Sequence, residues 1–146
     1  MSTLLDQTDR DVILQRLQRM TPDRTPSWGT LTAPRLLCHL ADQLRVALGL
    51  IPVARHDTLL SRTLLKWLVV DSPFQAPPGK VLTAPEMVTS APTSWSGDME
   101  TVRTLIRRLA TTPTTAIHPM FGPLTHDGWC RLAWKHLDHH LRQFGL

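Results

Sequence analysis

Two histidines one helical turn apart, His136 and His140, are the residues of this sequence best placed to do chemistry. At spacing i, i+4 on a helix their side chains start about 5–6 Å apart on one face, so two imidazoles can converge on a single cation. Imidazole ligates zinc, nickel, copper and iron, and it is mostly neutral at pH 7, as ligation requires. The same pair can also be two core histidines bonded to backbone or to each other. A third ligand is needed to separate these readings, and His39 is the candidate.

The elements that must position these residues are helices. Turned at about 100° per residue, the last helix gathers Trp129, Leu132, Ala133, Leu137, Leu141 and Phe144 on one broad arc. His136 and His140 fall near the centre of that arc, His139 lies at its edge, and Gln143 lies beside His136. Arg131, Lys135, Asp138 and Arg142 share the opposite arc. Around His39 the core face is Leu36, Leu37, Leu40, Ala41, Leu44 and Ala47, with His39 about 60° beyond Leu36, at its border. A border residue can reach a neighbouring helix or turn to water.

Further helices follow from the same periodicity. A first helix is expected from about Leu4 to Met20, followed by a loop over Thr21–Leu31 marked by Pro22, Pro26 and Gly29. Thr32 is the expected N-cap of the second helix, with Pro34 in its first turn and Gly49 stopping it after Leu48. Leu59–Val70 reads as a shorter helix, and Asp71–Ser94, with Pro73, Pro77, Pro78, Pro85 and Pro92, as a long irregular stretch. Ser96 or Asp98 caps a helix running to about Ala110, and Thr125 caps the last one. No strand-like alternation of useful length is visible. Four principal helices with one extra short helix predict an all-α bundle formed by a single domain, residues 1–146.

Bulk properties narrow the function. The chain of 146 residues carries 42% apolar and 19% charged residues, the balance of a globular domain. Its net charge of +4 comes from scattered arginines and lysines without a long basic run, so nucleic-acid binding is not expected. Leu64–Val70, the most apolar stretch, is broken by Lys66 and falls far short of the ~20 residues a membrane span needs. The first residues have no apolar signal region, and a cytoplasmic protein is expected. Cys38 and Cys130 have no metal-pair spacing and read as reduced, partly buried thiols.

Several separated motifs resemble one superfamily. His136-Leu137-Asp138-His139-His140-Leu141-Arg142-Gln143 is similar to the C-terminal His-x-x-His-His-x-x-Gln signature of DinB/YfiT-like proteins. Trp28-Gly29, His39-Leu40-Ala41-Asp42-Gln43-Leu44-Arg45, Thr83-Ala84-Pro85-Glu86-Met87 and the run from His118 to Trp129 resemble a branch of that superfamily known as a domain of unknown function. The resemblance covers nearly the whole chain. It implies an up-down-down-up four-helix bundle in which His39, His136 and His140 hold a divalent metal ion, zinc or nickel before iron or copper. The middle histidine of the signature, His139 here, is not a ligand in that pattern.

Three histidines leave one or more coordination positions open, as in catalytic sites. Such a centre can acidify a water or thiol, or polarise an oxygen of a small-molecule substrate. The resemblance therefore implies a metal-dependent hydrolase or a low-molecular-weight-thiol transferase. His118 is the candidate acid/base or substrate-orienting residue, although a surface histidine fixed by Pro119 is the plainer reading. Asp42 or Gln43 can bond a ligand imidazole, with exposure the plainer expectation for Asp42; Gln143 can steady the site or simply end its helix. Trp28, Trp129 and Trp134 read as core, and His56 and His126 as surface. The competing readings are a noncatalytic bundle whose histidines serve stability, and a partner-binding module built on Asp71–Ser94. A homodimer is compatible with this sequence, but no feature specifies one.

Overall fold

The computed structural model of the chain describes residues 1–75, 77–78 and 87–146. Of the Thr83–Met87 motif, only Met87 lies within these residues, and the middle of the long Pro-rich stretch lies outside them.

The described chain is mostly helical, with α1 (Gln7–Gln18), α2 (Ala33–Ala47), α3 (Trp95–Thr111) and α4 (His126–Gln143) as its principal helices. Local chemistry sets their ends. The Asp6 carboxylate accepts from Asp9 N–H at the start of α1, and the Thr125 hydroxyl accepts from Gly128 N–H at the start of α4. Ser94 caps α3 by accepting from Gly97 N–H, which corrects the expected caps Ser96 and Asp98. Asp98 instead accepts from the backbone N–H and hydroxyl of Thr93, fastening the incoming chain to the first turn. At the end of α2, Gly49 takes a φ of 72°, and Leu50 N–H then reaches back to the Arg45 carbonyl at 2.8 Å. That left-handed closure suits glycine, which has no Cβ to clash.

The short helix expected at Leu59–Val70 is present but wound wide. Ser61–Leu65 and Trp67–Asp71 are π-helical, and Lys66 N–H bonds the Ser61 carbonyl five residues back. The Lys135 ammonium of α4 donates to the Val69 and Ser72 carbonyls at the end of this segment. A very short ladder lies between α3 and α4, compatible with the all-α reading. Ile117–His118 (β1) and Gly122–Pro123 (β2) pair as a minimal antiparallel ladder, too short for any alternation to be legible.

Packing places α2 and α4 at the centre. α2 lies most extensively on α3, while α4 touches α1, α2 and the Trp67–Asp71 segment. Leu36, Leu37, Leu40 and Leu44 of α2 meet Val102, Ile106 and Leu109 of α3 and Trp129, Leu137 and Leu141 of α4 in one core. Most of α2 is buried, Asp42 and Gln43 included, because neighbours cover it on several sides. α4 is covered by α1 too. Asp138, on the polar arc, is 5% exposed and bonds Arg16 of α1 at 2.7 Å and Arg142 at 2.9 Å. A polar arc can thus be interior when ion pairs satisfy it.

α2 and α4 run in opposite directions. The Ala47 carbonyl at the end of α2 accepts from Thr114 Oγ1, and two residues on, the Ala116 carbonyl accepts from Trp129 Nε1 near the start of α4. His39, two turns earlier in α2, meets His136 and His140, well along α4. No helix among the described residues is long and apolar enough to cross a membrane.

Candidate metal centre

His136 and His140, paired by their spacing, and His39, the third ligand that the resemblance implies, come together. His39 Nε2 lies 2.9 Å from His136 Nε2 and 3.2 Å from His140 Nε2. The candidate ligand atoms all lie within 4.8 Å of one another. The rings meet edge-on, with interplanar angles of 74°, 82° and 85°. His39, expected at the border of its helix face, is buried, so the groove toward α4 is where it points. His139 stands outside the triad, edge-on to Trp28 at 5.8 Å.

The surrounding bonds fix which nitrogen carries the proton in two of the three rings, His39 and His140. His39 Nδ1 faces the Met87 carbonyl at 2.7 Å; a carbonyl only accepts, so Nδ1 is the protonated nitrogen. His140 Nδ1 lies 2.8 Å from Gln143 Oε1, and the orientation of that amide is set because Gln143 Nε2 donates to the Trp28 carbonyl. His140 Nδ1 is therefore also the donor. In the neutral rings the two Nε2 atoms are then bare lone pairs facing each other at 3.2 Å, with no proton available for a bond between them. Two acceptors so placed repel unless a cation lies between them or His136, whose Nε2 is 2.9 Å from that of His39, turns an Nε2 proton toward them.

Burial keeps these rings neutral. The His136 pKa is pushed far below its ordinary value by burial, and then by the neighbouring imidazoles of His140 and His39. His140 is lowered to about 3 by burial and by His39, against the opposing bond from Gln143. His39 is lowered by burial, opposed by its bond to the Met87 carbonyl and by the Asp42 charge. A proton is thus the wrong cation for this cluster, while neutral imidazole is the form that ligates a metal. Tetrahedral ligation at 2.0–2.1 Å separates ligand nitrogens by about 3.3 Å, which the two Nε2 separations from His39, 2.9 and 3.2 Å, approach. The donor set fits a borderline divalent cation, with two of the three imidazoles already oriented by carbonyl acceptors.

Asp42 corrects the expectation of an exposed helix position. It is fully buried, and its carboxylate accepts from Ser90 N–H at 2.7 Å, Thr89 Oγ1 at 3.1 Å, Arg45 Nη1 at 3.0 Å and the Ser90 hydroxyl. These bonds outweigh the opposing effect of burial and hold its pKa below the ordinary value. Asp42 therefore clamps residues 89–90 onto α2 and, through them, sets the Met87 carbonyl on His39. No residue-type pattern marks a backbone carbonyl as a partner, so Met87 and Trp28 were not foreseeable in these roles.

His118 ends β1, and its Nδ1 accepts from the following turn, from Met120 N–H at 3.1 Å and Phe121 N–H at 3.2 Å. It stacks on Phe121 at 4.4 Å and sits 5.3 Å from Trp129. Its proton is accordingly on Nε2. Burial lowers its pKa to about 4. Below pH 6.5 an unfolded chain binds a proton here that the folded one refuses, so the stability tied to His118 falls as pH drops from 6.5 toward 4. In His118→Asn, whose side-chain oxygen can still accept from the turn, urea unfolding at pH 7 and pH 5 is expected to differ less than in wild type. Equal losses would contradict the assignment.

Trp129 is core as expected, whereas Trp134 is half-buried and donates to the Asp9 carbonyl. His126 bonds the Leu109 carbonyl at 2.7 Å, and His56 is exposed. Cys38 and Cys130 are free and buried, and burial raises both thiols, Cys130 to about 11. Neither is a thiolate at neutral pH.

No curated protein and no solved structure gives a significant match to the chain. Residues 2–145 match the family described as "Protein of unknown function (DUF1569)", so the chain belongs to that family.

Proposed function

We propose that this protein binds one divalent cation through His39, His136 and His140 and uses it as a metal-dependent enzyme, a hydrolase or a low-molecular-weight-thiol transferase. The observation that carries the reading is the pair of lone-pair nitrogens, His39 Nε2 and His140 Nε2, 3.2 Å apart with both Nδ1 protons committed elsewhere. Zinc or nickel suits the three imidazoles best, and iron or copper can use the same donors. The fold we infer is the up-down-down-up four-helix bundle of DinB/YfiT-like proteins, in keeping with the opposed directions of α2 and α4.

When bound, the ion supplies Lewis acidity at its open positions, toward a water, a thiol or a substrate oxygen. The protein's own groups do the rest. Met87 and Gln143 keep the Nε2 atoms of His39 and His140 deprotonated and aimed inward. His118, neutral with its proton on Nε2, is the residue we assign to orient a substrate oxygen by donating that N–H. Because Cys38 and Cys130 are buried with raised pKa values, the thiol of a transferase reaction comes from a small molecule.

Metal-saturated protein should be assayed against electrophiles with a panel of low-molecular-weight thiols, and in parallel against ester and amide substrates. Turnover in one series, abolished by a chelator and by His136→Ala, is the expected result. A metal-saturated protein inert in both series would contradict the enzymatic reading and leave the ion a structural role.

A further inference from the structure

Ligating histidines nearly always donate their second ring N–H to an acceptor, which fixes the ring and strengthens the ligand. Two of the three do so here, His39 to the Met87 carbonyl and His140 to Gln143 Oε1. His136 does not. Its Nδ1 is buried without a hydrogen-bond partner. If His136 ligates through Nε2, that Nδ1 carries a proton and needs an acceptor.

One acceptor is waiting. Among the described residues, the buried side-chain oxygen without a hydrogen bond is Gln43 Oε1, on a residue only 2% exposed. Leaving such an amide oxygen dry and unpaired is costly, so its burial calls for an explanation. Gln43 follows His39 by one turn and shares its face of α2. Because α2 and α4 run in opposite directions, one turn beyond His39 leads toward the Trp129 end of α4. That is the His136 side of the triad, away from His140. A ring nitrogen that becomes a donor once His136 ligates through Nε2, and an amide oxygen that accepts, each buried and each unpaired, thus lie on facing helices at adjoining levels.

We propose that Gln43 is the positioning residue for His136: when the site is loaded, Gln43 Oε1 accepts the His136 Nδ1 proton, directly or through one enclosed water. This rests on the metal-site reading above. It completes a set in which every ligand imidazole has its own acceptor, two from side-chain amides and one from the backbone. The chemistry asks for an acceptor at residue 43, which glutamate can also provide and methionine cannot.

The test compares Gln43→Met and Gln43→Glu with wild type, measuring zinc affinity by chelator competition and the melting temperature of the metal-free proteins. Gln43→Met keeps the side-chain length and removes the acceptor. It is expected to bind zinc about 10–100-fold more weakly, while its metal-free melting temperature stays level or rises, because an unpaired buried oxygen has gone. Gln43→Glu is expected to bring zinc affinity back to within a few-fold of wild type. A purely packing role would move the metal-free stability and leave affinity unchanged. If wild type binds zinc and Gln43→Met matches it, or Gln43→Glu binds as weakly as Gln43→Met, the proposal is overturned and the metal site stands. If wild type itself binds neither zinc nor nickel, both are overturned.

Discussion

In His136→Ala, adding zinc or nickel is expected to leave the melting temperature unmoved, whereas the same addition raises that of wild type. At a free-metal concentration 100 times the dissociation constant, binding to the folded state alone stabilises it by about 2.7 kcal/mol. For a chain of this size that is a shift of roughly 5–10 °C. His136 is the proposed ligand to remove because its ring lies 4.8 Å from that of His39 and 4.6 Å from that of His140, touching both. Without it, two imidazoles remain, and affinity falls by more than the roughly 10–100-fold typical of losing an outer partner. The metal-induced shift is the proper readout, because truncating a packed ring changes the metal-free melting temperature on its own account. An undiminished shift in the variant would place the ion elsewhere.

The second large effect is expected at Asp42, where Asp42→Ala should lower unfolding free energy by about 3 kcal/mol and weaken zinc binding as well. A fully buried carboxylate with four donors is a costly group to remove, since Ser90 N–H and the Thr89 and Ser90 hydroxyls would lose their acceptor together. The coupling to metal follows from the backbone. Residues 89–90 are held on α2 by Asp42, and three residues before Ser90 the Met87 carbonyl holds His39 Nδ1. Urea unfolding and zinc titration of the same variant check both halves. The Asp42 contribution is also acid-sensitive: its pKa is lowered by folding, so its stabilisation is present above the ordinary carboxylate range and is lost as pH falls through the folded value. A loss under 1 kcal/mol with zinc affinity intact would mean the clamp does not matter.

The legible part of the molecule was what repeats locally. The i, i+4 spacing of His136 and His140 and the apolar arc around them sufficed to point both inward, and Thr125 and Gly49 show how local chemistry sets helix ends. What stayed hidden depends on chain brought from far away. His39 looked like a border residue because a helical wheel knows one face; α2 is in fact enclosed by α3, α4 and residues 87–90. The same enclosure buries Asp42 and Gln43. Asp138 has a polar neighbourhood in sequence but an interior one in space, since Arg16 arrives from α1. The acceptors supplied by Met87 and Trp28 are backbone groups, which side-chain identity does not encode.

The central claim is that the two facing nitrogens of His39 and His140 exist to share a cation with His136. Elemental analysis of protein purified without a histidine tag addresses it most directly, before and after incubation with zinc or nickel and removal of the excess. The account predicts close to one divalent ion per chain in wild type and a marked loss in His39→Ala, His136→Ala and His140→Ala. Wild-type protein that remains metal-free after incubation would contradict it.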